Sequence, residues 1–426
     1  AAQGIIEHNV QQMVPMTIFP RSLIQHFHVL QPTNRLTRIS SFLSGSNNKF
    51  LSNSSSMKDY RTEIAKQFHV DPKLFDDTSI PPSIQQLNAQ IEETSSHTPL
   101  LSTLDPTLVK NARAAQYKHD TRRTTLSIPG HRPNTDTDST PPLKLALFRP
   151  TTKNVRGVYL HLHGGGWMIG SAFGQSDDRL QGYANDHGMA VVSVDYRLTP
   201  EWRWPAPLYD CVAAALWALG PGRVMFGSGG EENETKPVLV GGESSGAQLC
   251  VSTLLYLHHR NLLNTETDFR AVNLVYGFYD LEEGTPSRQA FHRRLVFTNE
   301  ELSWFAQHLR PDNQNNKPID NNNDDDEDED VLLEDLLSPL HAKFPSNILP
   351  PALFSVGTAD ALLDDTLLMA QRWEEARVNS PKDDKSELVV MPGAAHGVGH
   401  FGPHEFTEQG SELNQRIGEF FERYLS

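Results

Sequence analysis

Cysteine is nearly absent, with only Cys211 and Cys250 in 426 residues. Two distant cysteines make no disulfide framework. Both stand in apolar helical patterns and read as buried thiols of a reducing, cytoplasmic compartment. Long apolar runs are missing as well. The longest helical one, Val212 to Leu219, has the length of a core helix, short of the roughly 18 residues a membrane span needs, so no stable membrane insertion is expected. Basic residues are outnumbered, 37 Lys and Arg against 53 Asp and Glu, which argues against nucleic acid as the partner. Half of the net charge of −16 comes from Asp320 to Asp330, which holds eight acidic residues and no basic one. This low-complexity run reads as a solvated loop. It lacks the turn glycine and spaced terminal glutamate of a calcium loop.

Acidic residues are scarce at the other end of the chain. Glu7 is the only one among residues 1–55, where Arg21, Arg35, Arg38 and Lys49 are scattered through serine, asparagine and glutamine. This composition predicts disorder, and two origins fit it. One is an organelle transit segment, which is Arg- and Ser-rich and poor in acids. The other places the true start at Met57.

From residue 57 onward the pattern is that of a folded chain. Tyr60, Ile64, Phe68 and Leu74 mark short helices with an apolar stripe. Asp105-Pro106 opens a helix running to about His119, with proline in the first turn. This helical lead-in carries no chemistry, and its position suggests a cap. Strands are expected at Leu143–Phe148, Gly157–His163, Met189–Val194, Val238–Val240, Asn273–Tyr276, Pro351–Gly357 and Leu388–Met391. Helices lie between them: one from Pro205 to Leu219, one opened by the capping box Thr298-Asn299-Glu300-Glu301, and a last one carrying Leu413, Ile417, Phe420, Phe421 and Tyr424. Strands alternating with helices predict an α/β fold with a mainly parallel, doubly wound sheet.

The stretch Val238-Leu-Val-Gly-Gly-Glu-Ser-Ser-Gly246 organises the rest. A serine on a strand-to-helix turn, with glycine two residues to either side, is a nucleophile elbow. The turn is so tight that a Cβ at either glycine would clash. It lifts the Ser244 hydroxyl clear of the sheet beside the free N–H groups of a new helix. A second loop, Gly164-Gly165-Gly166-Trp167, follows the Gly157–His163 strand. Its backbone N–H groups can hold an oxyanion or a phosphate, but no phosphate-loop or dinucleotide signature follows. His161 and His163 share one face of that strand. A metal pair there lacks a third ligand nearby, which favours positional roles and no metal.

In such sheets, sites gather at the carboxyl ends of strands. Ser244, Asp360 and His396 all stand there, in the order Ser, Asp, His. Imidazole can take the serine proton near neutral pH, and a carboxylate fixes its tautomer. His400, Asp364 and Asp365 are rivals, but His396 and Asp360 lie closer to their strand ends. The N–H of Ser245 and those of the glycine loop are the oxyanion donors.

These residues resemble the hormone-sensitive-lipase-like carboxylesterases, a branch of the α/β-hydrolases. The similarity rests on His163-Gly-Gly-Gly-Trp167, Asp195-Tyr-Arg-Leu-Thr-Pro-Glu201, Gly242-Glu-Ser-Ser-Gly246, Asp360-Ala-Leu-Leu-Asp364 and His396-Gly397, in family order. The resemblance implies that Gly165, Gly166 and Ser245 form the oxyanion hole, and that His163, with Gly164, supports the loop. It also implies a helical cap. The expected division is 1–55 a disordered or targeting segment, 56–140 the N-terminal cap, and 141–281 the first part of the catalytic core. Residues 282–337 are the second cap part with a disordered acidic insert, and 338–426 the second core part. Two departures from the pattern are Ala247 in place of a further glycine and Val398 in place of the usual aromatic after the histidine. The expected function is a cofactor-free serine carboxylesterase acting on small-molecule esters with short to medium acyl groups. An amidase, formamidase or deacetylase would use the same groups. A non-catalytic small-molecule receptor of this family would lack the histidine, which here is present.

Overall fold

A computed structural model describes residues 54–425 apart from 107–108, 110–112, 114–119, 132–140, 153, 175, 228–235, 264–268, 283, 312–323, 347–348 and 378–383. The segment 1–53, most of the helix expected from Asp105 to His119, and the asparagine-rich stretch before residue 324 lie outside the described residues.

Eight strands form one sheet: β1 Arg123–Ile128, β2 Leu143–Phe148, β3 Gly157–Leu162, β4 Met189–Val194, β5 Val238–Glu243, β6 Phe269–Val275, β7 Ala352–Gly357 and β8 Glu387–Met391. Their order is β1-β2-β4-β3-β5-β6-β7-β8. β2 is antiparallel to both of its neighbours, and every pair from β4 to β8 is parallel. β3, β4, β5 and β7 are buried at every residue, as parallel strands covered on both faces must be. The carboxyl ends of β3, β5, β7 and β8 therefore open on one edge, each followed by one of the expected functional loops.

Nine helices matter to the site and its support. They are α1 Ser54–Gln67, α2 Pro82–Ser96, α3 Asp177–His187, α4 Ala206–Trp217, α5 Ser245–His259, α6 Asn299–Leu309, α7 Asp324–Leu337, α8 Leu363–Ala376 and α9 Glu408–Tyr424. α4 packs on α5, and α3 on α9. α9 buries the apolar stripe read from the sequence, Leu413, Ile417, Phe420 and Phe421. The Phe421 ring lies 4.8 Å from that of Tyr159 on β3 and edge-on, at 5.4 Å, to Tyr183 on α3. α6 begins with the expected capping box: Glu301 N–H donates to Thr298 Oγ1 at 3.2 Å, and Thr298 N–H to Glu301 Oε2 at 2.9 Å. Cys211 and Cys250 are buried and unbridged. Among the described residues no helix is long and apolar enough to cross a membrane.

Two expectations need correction. Arg123–Ile128 lies in the sheet, paired with β2, although residues 56–140 were assigned to a cap. As an edge strand it is only half buried, so its apolar pattern is weak. The acidic run is also not wholly a loop, because Asp324 to Asp330 begins α7. Acidic residues at a helix N-terminus favour the macrodipole, and apolar Leu333, Leu336 and Leu337 bury the other end. The last carbonyls of α7 have no partners within the helix. Here Ser252 Oγ donates to Leu336 O at 2.7 Å and Gln248 Nε2 to Leu337 O at 3.2 Å, and one turn earlier Trp204 Nε1 adds a bond to Leu333 O at 2.9 Å. Glu329 is buried and accepts from Tyr209 Oη at 3.0 Å and Tyr256 Oη at 3.3 Å.

Phe421→Ala should destabilise the fold by about 3–5 kcal/mol through lost burial and a residual cavity. Urea unfolding checks this, and an unchanged midpoint would mean that α9 is not anchored through this ring.

Candidate active site

The elbow follows from backbone contacts. Ser244 has φ 55° and ψ −120°, a conformation rare for a residue with a side chain. A Cβ on Gly242 would lie 2.6 Å from the carbonyl carbon of Gly246, and one on Gly246 2.6 Å from the carbonyl oxygen of His163. Only glycine fits at either place. Ser244 N–H donates to Val275 O at 2.9 Å, and Ser244 O accepts from Ala247 and Gln248 N–H at 3.1 and 3.2 Å. α5 starts at Ser245, so its first N–H groups lack helical partners.

His396 Nε2 lies 3.0 Å from Ser244 Oγ, and His396 Nδ1 donates to Asp360 Oδ2 at 2.8 Å. Asp360 Oδ1 accepts from Leu362 N–H at 2.9 Å. Ser244, His396 and Asp360 are 5, 4 and 2% exposed, so the three share one water-poor pocket. The loops carrying Asp360 and His396 are laced together. Ala359 N–H donates to Ala394 O at 3.0 Å, and Gly393 N–H to Thr358 Oγ1 at 2.7 Å.

The glycine loop lies against Ser244, and a Cβ on Gly164 would sit 3.3 Å from the Ser244 Cβ. Gly165 and Gly166 have φ of +123° and +58°, the left-handed region that favours glycine. His163 Nδ1 donates to Gly164 O at 2.8 Å, its ring stacks on Tyr196 at 4.2 Å, and Tyr196 Oη donates to His163 O at 2.6 Å. Burial holds the His163 pKa below the ordinary imidazole value, which keeps this brace neutral. Trp167 Nε1 donates to Gln248 Oε1 at 3.0 Å, tying the loop to α5.

His161 has a different task. Its Nε2 donates to Glu243 Oε2 at 2.8 Å, its Nδ1 meets Ser193 Oγ at 2.9 Å, and Arg179 reaches Glu243 Oε1 at 3.1 Å. Burial alone would raise the Glu243 pKa, but His161 and Arg179 outweigh it and hold the carboxyl well below its usual range. The residue just before Ser244 is thus a fixed buried anion. His161 and His163 do not converge on a common point. Among the described residues no cluster of three or more His, Cys, Asp or Glu is placed to hold a metal ion.

The rivals stand apart from Ser244. Asp364 accepts a two-pronged ion pair from Arg61, both contacts 2.8 Å. Asp365 accepts from Tyr279 and Asp280 N–H, each at 2.9 Å, and from Thr285 Oγ1 at 2.6 Å. His400 Nδ1 donates to Val398 O at 3.0 Å.

Sequence reading missed an aromatic enclosure. Tyr276, Phe297 and Phe401 lie 4.6, 5.5 and 5.7 Å from the His396 ring. Phe305 of α6 covers Gly166 so closely that a Cβ there would fall 2.5 Å from its ring. Phe401 thus packs on the histidine although Val398 replaces the aromatic expected two residues after it. A lone phenylalanine five residues on gave no local signal.

Two buried histidines link the site's surroundings to pH. Burial and the nearby Arg179 push His400 down from its ordinary 6.5 to about 3, and burial pushes His404 down to about 4. A lowered folded-state value gives stability that is full above about pH 6.5 and lost as pH falls toward the folded value. Unfolding free energy should therefore drop on acidification from pH 6.5 to 4. His400→Asn should reduce that drop by roughly 2–3 kcal/mol. Parallel urea-derived profiles for the two proteins would contradict this.

Comparison with known proteins agrees with the geometry. The α/β-hydrolase fold family matches residues 159–400. An ethyl acetate hydrolase of Pseudomonas putida is 27% identical over 289 residues, 66% of this chain and 79% of that protein. An arylesterase of Saccharolobus solfataricus is 30% identical over 269 residues, 59% of this chain and 78% of its own length. The solved hyperthermophilic esterase from the archaeon Pyrobaculum calidifontis shares the fold, with a TM-score of 0.62 at 23% identity over 81% of this chain and 98% of that one. With an eight-stranded, mainly parallel sheet and a serine elbow at its centre, the chain belongs to the α/β-hydrolase family, among its hormone-sensitive-lipase-like carboxylesterases.

Proposed function

We propose that this carboxylic ester hydrolase cleaves short to medium acyl esters through an acyl-enzyme on Ser244. The observation that carries the reading is the buried chain of contacts from Asp360 through His396 to Ser244 Oγ. His396 Nε2 takes the hydroxyl proton as Ser244 Oγ attacks the ester carbonyl carbon. The oxyanion is held by the N–H groups of Gly165, Gly166 and Ser245, each worth roughly a hundredfold or more in rate. His396 then protonates the departing alkoxide, and the alcohol leaves. Water, deprotonated by His396, attacks the acyl-enzyme, and the proton returns to Ser244 as the acid is released. Asp360 keeps the imidazole in the tautomer that presents a bare Nε2.

The substrate class follows from the walls. The helices of 54–96 and the segment 286–309 act as the cap, and aromatic residues of the second stand close over the reacting centre. Phe305 covers Gly166, and Phe297 sits edge-on to both Phe305 and His396 at 5.6 and 5.5 Å. Such an apolar, enclosed site selects by size rather than by charge. Relatives named ethyl acetate hydrolase, arylesterase and acetyl esterase support small ester substrates. Esters should outpace anilides, because an alkoxide departs with less acid help than an amine.

On a panel of p-nitrophenyl esters and anilides, acetate and butyrate should be cleaved fastest, and Ser244→Ala should lose about four or more decades of kcat. Phe305→Ala should shift the optimum toward longer acyl chains. Faster turnover of long-chain esters or anilides by the wild type would overturn the substrate reading. Retained activity in Ser244→Ala would overturn the mechanism.

A further inference from the structure

The loop that carries His396 spans residues 392–407 between β8 and α9. One side chain from the N-terminal helices reaches both ends of it. Asn88, in the middle of α2, is 1% exposed. Its Nδ2 donates to Gly393 O at 2.8 Å, and its Oδ1 lies 2.8 Å from His404 Nε2. The orientation of the amide is forced. A carbonyl only accepts, so the NH2 faces Gly393 and the oxygen accepts from the His404 ring N–H. Gly393 also donates its N–H to Thr358 Oγ1, two residues before Asp360.

Packing follows the same line. Gly393 has φ +73°, and a Cβ on it would lie 3.1 Å from Ile84 Cγ2 and closer still to Ile80. Ile91, one turn after Asn88, forms a small buried cluster with Leu295, Ala359 and Ala395. Ala359 immediately precedes Asp360, and Ala395 immediately precedes His396. α2 thus bears on the residues just before both the acid and the base.

We infer that Asn88 is a positioning residue for the catalytic pair: it clamps Gly393 to His404 and so sets the reach of His396 to Ser244 Oγ. The inference rests on the reading of His396 as the base. It gives α2 a role in the chemical step, beyond covering the substrate. Displacing a reacting group by about 1 Å can cost on the order of a hundredfold in rate.

The test uses the full chain, with Asn88→Ala and Asn88→Asp. The second variant keeps the side chain's size and the acceptor for His404 but loses the donor to Gly393. Active sites are titrated with a fluorophosphonate, so that misfolded molecules drop out of the count, and kcat and KM for p-nitrophenyl acetate are expressed per titrated site. Asn88→Ala should lower kcat per site by about ten- to a hundredfold, with KM within about threefold and the acyl-chain preference unchanged. Asn88→Asp should fall between it and the wild type, and decides the matter where Asn88→Ala does not fold. An unchanged kcat per site overturns the inference. So does a raised KM with altered chain preference at full kcat, which is the mark of a lid. Wild-type activity in Ser244→Ala would remove the base on which the inference stands, and that failure is told apart because it does not depend on Asn88.

Discussion

The site depends on how closely the turn from β5 into α5 approaches the end of β3. Gly246 lies against the carbonyls of Leu162 and His163, and Gly242 against Gly246. No room remains for a side chain, and the backbone of Ser244 is driven to positive φ. Such strain costs about 1–3 kcal/mol and persists only where the surroundings over-determine it. Here they do. Ser244 is hydrogen-bonded through its N–H and its carbonyl, and the preceding Glu243 is locked by His161 and Arg179. Parallel strands buried on both faces supply the rigid frame. The same close approach sets the glycine loop beside the serine, so one backbone contact places both Ser244 and the N–H groups beside it.

The other two groups come from β7 and β8, and their relation to Ser244 is a property of the sheet's register and of loop lacing. Asp360 and His396 follow adjacent strands whose ends are joined by the Ala359–Ala394 and Gly393–Thr358 hydrogen bonds. The N-terminal helices then bear on that laced pair. Arg61 of α1 holds Asp364 in the first turn of α8, and Ile91 of α2 packs beside Ala359 and Ala395. His396 is thus supported from the sheet on one side and from the N-terminal helices on the other.

What was legible in the sequence was local. Gly242 and Gly246 announce their turn through the spacing around Ser244, and the clash of Gly242 with Gly246 lies within five residues, although Leu162 and His163 of the distant β3 end are what leave Gly246 no room for a side chain. The α6 capping box and the α9 stripe are equally short in range. The positions of Ser244, Asp360 and His396 at strand ends follow once the strands are read, and the structure brings these three together while placing His400, Asp364 and Asp365 elsewhere. What escaped reading depends on distant partners. Arg123–Ile128 has a weak apolar alternation and is a strand because β2 pairs with it. Asp324–Asp330 looks like a solvated run, and it joins a helix because Leu333 and Leu336 dock and Tyr209 and Tyr256 receive Glu329. Asn88 lies 305 residues from Gly393. No periodicity or spacing points from one to the other.

In the proposed mechanism Ser244 carries the acyl group between two half-reactions. The most direct measurement is rapid acid quenching of the enzyme during turnover of p-nitrophenyl acetate, followed by digestion and mass spectrometry. A peptide containing Ser244 and heavier by one acetyl group is expected, its population rising in the first turnover and decaying as substrate is exhausted. An acetylated peptide elsewhere in the chain, or full turnover with no acyl-enzyme trapped at any quench time, would contradict it.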